Sequence, residues 1–124
     1  MLFVVHPNDW LEDEIIGLKN RGITCLISML EYSEVWDLGL IEEEGYCEKW
    51  GVEYINFPIE DVNIPRNEDK FIAFAKNIAN RIIQKDRIVI HCRMGIGRAS
   101  MMAAAIMIKL GYKGTDVFLS LIHI

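Results

Sequence analysis

Cys92 and Arg98 stand six residues apart in the run His91-Cys92-Arg93-Met94-Gly95-Ile96-Gly97-Arg98-Ala99-Ser100. A cysteine attacks as its thiolate, so a reactive one needs positive surroundings. The apolar run 88–91 before Cys92 reads as a strand, and 98–110 after it reads as a helix. Strand, short loop and helix start are the parts of an anion cradle. Gly95 and Gly97 open backbone conformations closed to other residues. Loop N–H groups can then converge on an anion, and the helix behind adds its positive end. Arg98 falls on the first helical turn, where it can grip a phosphoryl group through two parallel hydrogen bonds. At the floor of this cradle Cys92 is expected as thiolate, aimed at the phosphorus of a bound phosphate. The same donors would stabilise charge on the equatorial oxygens in the transition state. Arg93, Met94, Gly95, Ile96, Gly97 and Arg98 are the expected substrate-binding residues. Met94 and Ile96 would give the mouth a partly apolar rim suited to an aryl phosphate.

Phosphoryl transfer to sulfur also needs an acid for the departing oxygen, and the same group can later activate water. The best segment is Phe57-Pro58-Ile59-Glu60-Asp61-Val62-Asn63-Ile64-Pro65, which follows an expected strand and is stiffened by its prolines. Asp61 and Glu60 are the candidates. Asn63 either orients water or makes a turn.

These residues must be positioned by the elements around them. Leu2–Val5 reads as a short edge strand. Asp9 can cap a helix to about Asn20, stopped by Arg21-Gly22. Ile23–Leu30 reads as a buried strand, Glu31–Trp36 as a short helix, Ile41–Trp50 as a helix closed by Gly51, and Val52–Phe57 as a strand. Residues 58–67 form a loop. Phe71, Phe74, Ala75, Ile78, Ala79 and Ile82 recur at helical spacing. The helix 98–110 is apolar nearly all round, so it is expected to be central and buried. A last helix is expected from Thr115. Strands separated by helices imply an α/β fold: a mainly parallel sheet of about four or five strands with helices on both faces. Ligands in such sheets bind at the carboxyl ends of strands, where Cys92 falls.

The chain has 124 residues, which suits one domain, 1–124. Its net charge of −5 makes nucleic acid or an anionic membrane a poor partner. The longest apolar stretch, 99–108, is too short for a membrane span. Met1–Val5 lacks the flanks of a signal peptide. Three widely spaced cysteines suit a reducing cytoplasm better than a disulfide framework. No pattern of metal ligands stands out, so no metal and no cofactor is expected. Cys25 is expected to be buried and inert. Trp10, Trp36 and Trp50 are expected in packing, Met101, Met102 and Met107 in the core, and Glu42-Glu43-Glu44 on a solvated helix face.

The run from His91 to Arg98 resembles the signature loop of the cysteine-dependent protein tyrosine phosphatases: His-Cys, five residues, then Arg. The glycine placement and small size look most like the dual-specificity and atypical dual-specificity branch. The resemblance extends from about Trp10 to Leu121. It implies metal-free phosphomonoester hydrolysis through a phosphocysteine, with Cys92 as nucleophile, Arg98 as phosphate binder and 93–97 as cradle. It implies that His91 shapes the loop and tunes the thiolate from below. A loop with proline on either side of an aspartate carries the acid in that family, so Asp61 is the matching position and Glu60 the runner-up. The expected substrate is a phosphoprotein or phosphopeptide, phosphotyrosine ahead of phosphoserine or phosphothreonine. One position departs: the family usually has Ser or Thr directly after the Arg, where this chain has Ala99, with Ser100 one later. That puts hydrolysis of the phosphocysteine in question more than its formation. Two alternatives stand beside this reading. One is a sulfurtransferase or arsenate-reductase-like cysteine enzyme, and the other a pseudophosphatase module that binds phosphate without turnover.

Overall fold

Cys25–Ser28 forms the central strand, β1, and both of its faces are covered. In the computed structural model, which describes residues 10–59, 68–92 and 97–112, β1 pairs in parallel with β2 (Glu53–Asn56) on one side and β3 (Ile88–His91) on the other. The order is β2-β1-β3, so the connection from β2 to β3 passes over β1. It does so through the long helix α4 (Glu68–Ile83). Among the described residues the sheet has three strands. The strand expected at Leu2–Val5 and the helix expected from Thr115 lie outside them.

The alternation of β1 splits the core into two layers. Cys25, Ile27 and Met29 pack with Phe71, Ala75, Ile78 and Ala79 of α4 and with Ala99, Met102 and Ile106 of α5 (Gly97–Lys109). Leu26 and Leu30 pack on the other face with Leu11, Ile15 and Leu18 of α1 (Trp10–Asn20) and Cys47 of α3 (Glu43–Trp50). The short helix α2 (Tyr32–Asp37) leaves the carboxyl end of β1 and is opened by a capping box between Glu31 and Glu34. Helix α3 closes at Gly51, whose φ of 76° is the left-handed conformation glycine tolerates best.

Three expectations are corrected. Helix α5 is not buried all round: Arg98, Ala99, Met102 and Ile106 make one inward stripe, Met101 and Met107 are half-buried, and Ile108 is exposed. Its many alanines make it apolar in sequence without giving it a second face to bury. Trp36 is exposed, its ring edge-on to the still more exposed Tyr32 one helical turn away. Glu43 is fully buried rather than solvated, because it shares an i, i+4 stripe with buried Cys47.

The amino and carboxyl edges of the sheet differ in character. At the amino edge Arg81 bridges Glu53 and Asp86, and Thr24 Oγ1 donates to Asp86. The carboxyl edge is stitched around Met29. Its N–H donates to the carbonyl of His91, and its carbonyl accepts the N–H of Ile59. Asn56 Nδ2 donates to the carbonyls of Ser28 and Leu30. The chain leaving β3 toward Cys92 and the chain leaving β2 toward Asp61 are thereby tied to one residue.

Candidate active site

Register alone brings Ser28, Asn56 and His91 level at the carboxyl ends of the strands. Cys92 is the next residue, 4% exposed. The N–H of Ala99, in the first turn of α5, donates to Cys92 Sγ at 3.4 Å. First-turn N–H groups have no carbonyl within their own helix, so this one is available to the sulfur. A helix N-terminus carries partial positive charge, and here it faces the sulfur.

Arg98 folds inward from the same turn and is almost fully buried. Its Nη1 and Nη2 donate to Oε1 and Oε2 of Glu34 at 2.6 and 2.9 Å, a two-point contact. Nη1 also reaches the carbonyls of Ile59 at 2.8 Å and Met29 at 3.4 Å. One guanidinium therefore joins α5, α2 and the segment leaving β2.

His91 points to the opposite face of the sheet from Cys92, as neighbours in a strand must. Its Nε2 lies 3.0 Å from Oε1 of Glu43, and both side chains are almost wholly excluded from solvent. Ala99 has no exposure, and Ser100, one position on, is half-buried. Gly97 is helical, with no positive φ, and a Cβ there would meet no described atom within 4 Å. The special backbone freedom expected of Gly97 is thus not used in this conformation. Arg93, Met94, Gly95, Ile96, Glu60, Asp61 and Asn63 lie outside the described residues.

Cys25 and Cys47 are buried away from the start of α5. Burial pushes Cys25 up to about 11, with Arg81 opposing and Glu53 and Asp86 reinforcing. Burial, and then the charge of Glu43, push Cys47 up to about 12. Cys47 packs in the α1/α3 layer and Cys92 in the α4/α5 layer, so the sheet stands between them.

The sequence reading missed Glu34 and Glu43. Each acts at long range, 64 residues from Arg98 and 48 from His91. A signal was present for both. Glu34 lies on an i, i+4 stripe with Leu30 and Leu38, and Glu43 on a stripe with Leu40 and Cys47. A carboxylate on an apolar stripe needs a buried partner.

Comparison with known proteins agrees with this arrangement. The protein 067L of Invertebrate iridescent virus 3, named as a tyrosine phosphatase, is 35% identical over 80 residues, 56% of this chain and 32% of its own length. The chain thus spans about a third of that relative. Kinase associated phosphatase superposes with a TM-score of 0.81 at 16% identity, over 97% of this chain and 71% of that one. Tk-PTP in its active form superposes at 0.71 with 23% identity, over 94% and 74%. These two likenesses are of fold. The family profile described as "Polymorphic toxin system, DSP-PTPase phosphatase" matches residues 8–112, from before α1 to beyond α5. That match takes in all three described strands and both core layers, and by it the chain belongs to the DSP-PTPase phosphatases of polymorphic toxin systems.

Proposed function

We propose that this chain hydrolyses phosphomonoesters on phosphoproteins, with Cys92 as nucleophile, Arg98 as phosphate binder and Asp61 as acid and then base. The observation that carries the reading is the Ala99 N–H directed at Cys92 Sγ at 3.4 Å, with Arg98 on the same helical turn. In the first step the thiolate forms an S–P bond as the ester P–O bond breaks. The departing oxygen takes its proton from Asp61. In the second step water attacks the phosphocysteine, Asp61 recovers a proton, and phosphate leaves with the thiolate restored. Main-chain N–H groups of 93–97 and the Arg98 guanidinium would hold the equatorial oxygens throughout. Arg98 is already anchored by Glu34, which supports two-point binding with little reorganisation. The apolar Met94 and Ile96 favour phosphotyrosine over phosphoserine.

The second reading, a module that binds phosphorylated partners without turnover, rests on Ala99. No hydroxyl is present at that position to help the thiolate leave. Phosphate release from an aryl phosphate in EDTA separates the readings, with Cys92→Ser and Asp61→Asn beside the parent. Release that disappears in Cys92→Ser and falls steeply in Asp61→Asn supports the hydrolase. Phosphate binding with neither burst nor turnover would overturn it in favour of the binding module.

A further inference from the structure

The buried carboxylate of Glu43 is unused by the mechanism above. Its Oε1 meets His91 Nε2 at 3.0 Å, and its Oε2 has no hydrogen-bond partner among the described residues. The two side chains are 1% and 2% exposed. An ionised carboxylate in such a place is very costly without a compensating charge. The group that touches it is an imidazole, which can supply one.

Among the described residues the neighbours leave the task to that imidazole. On α3 itself, Cys47 is pushed up to about 12 by burial and by Glu43, and Glu44 is exposed. On β2, Tyr54 is pushed up to about 12 by burial and then by Glu43. Its hydroxyl is engaged by Ser28 of β1, and Cys25 on the same strand is also neutral. Beyond Cys92, the Arg98 charge of α5 is matched by Glu34 of α2. His91 therefore joins that carboxylate, through its ring, to the backbone that continues directly into Cys92.

We propose that Glu43 is a positioning residue for the nucleophile: it holds His91 doubly protonated, so that a buried positive charge stands on the residue that directly precedes Cys92. The proposal rests on the reading of Cys92 as nucleophile and deepens it. The carboxylate offsets part of the ring's charge and fixes the ring through Nε2, and the remaining field acts on the neighbouring thiolate. Glu43 touches no reacting atom and acts only through His91.

The test is the pH profile of Cys92 alkylation by iodoacetamide, read by peptide mass in the wild-type chain and in Glu43→Gln. Gln keeps the volume and an acceptor for Nε2–H but removes the charge. The expected result is a profile moved to higher pH, with alkylation at pH 6 slowed roughly three- to tenfold. An unmoved profile overturns the proposal. So does a move to lower pH, which would mean that Glu43 sets an uncompensated negative charge against the thiolate. Should Glu43→Gln fail to fold, imidazole ¹⁵N NMR of the wild-type chain decides alone, with His6→Gln and His123→Gln to assign the signals. Two protonated nitrogens on His91 at pH 7 are expected, and one would overturn the proposal. Alkylation and NMR need no turnover, so absence of phosphate release counts against the hydrolase reading and leaves this test intact.

Discussion

Arg98 and Glu34 meet at two points, Nη1 to Oε1 at 2.6 Å and Nη2 to Oε2 at 2.9 Å, with both side chains buried. A guanidinium fixed in this way is aimed but partly neutralised. Removing Glu34 therefore separates two effects. Charge alone predicts tighter phosphate binding in Glu34→Gln. Positioning predicts weaker binding, because Arg98 would lose the carboxylate that aims it, and breaking a buried pair of this kind costs about 3–5 kcal/mol of stability. The expected outcome is a Kd for inorganic phosphate raised about tenfold, or ~1.4 kcal/mol, together with a lower unfolding midpoint. Titration calorimetry and a denaturant melt measure the two.

Ala99 sits with no exposure against Cys92, its N–H on the sulfur. Ala99→Ser is expected to restore a hydroxyl beside the leaving thiolate and to speed hydrolysis of the phosphocysteine. In stopped-flow assays with an aryl phosphate, the wild-type chain should show a burst and slow turnover. The variant should show a smaller burst and faster turnover. Equal bursts in the two proteins would refute the role given to this position.

Gly97→Ala offers the opposite kind of test. The position is helical and a Cβ meets no described atom within 4 Å, so the variant is expected to fold with unchanged or slightly raised stability. Loss of phosphate affinity in a normally stable variant would show that the glycine serves the ligand rather than the fold.

Acid stability should depend on the amino edge of the sheet. Asp86 is held below the usual carboxylate range by the hydroxyl of Thr24 and then by Arg81. A depressed carboxylate contributes stability above its unfolded value of about 3.9 and loses it as pH falls through the lower folded value. Asp86→Asn should therefore lower the unfolding temperature at pH 6 and flatten its decline below pH 4. A decline as steep as that of the parent would count against this assignment.

The one-sided burial of α5 is checked by two truncations. Met102→Ala opens space beneath a side chain with no exposure and should cost about 2–5 kcal/mol. Ile108→Ala, at an exposed position, should stay within about 0.5 kcal/mol. Equal costs, read by urea denaturation, would mean that α5 is covered on both sides.

Legibility in the sequence followed the range of the forces involved. Helix α4 was readable because its apolar residues repeat at helical spacing, and β3 because three apolar residues and His91 lead into a glycine-bearing loop. The relation of Cys92 to Arg98 was readable because strand, loop and helix fix it locally. Glu34 and Glu43 were not, since their partners are distant in sequence and a run of three glutamates looks like a surface. Helix α5 misled for a related reason. Apolar composition records what a residue can bury and says nothing of whether a second layer exists to cover it.

The long reach of Arg98 also governs when the fold can form. Glu34 and Glu43 are synthesised well before their partners, and the α4/α5 layer lacks one wall until α5 is complete. A chain emerging from a ribosome without residues 97–112 holds Glu34, a carboxylate destined for burial, before its partner Arg98 exists. Folding of the domain therefore waits for its late segments and closes cooperatively around them. Cys92, the Ala99 N–H and the Arg98–Glu34 pair come together only at that final closure.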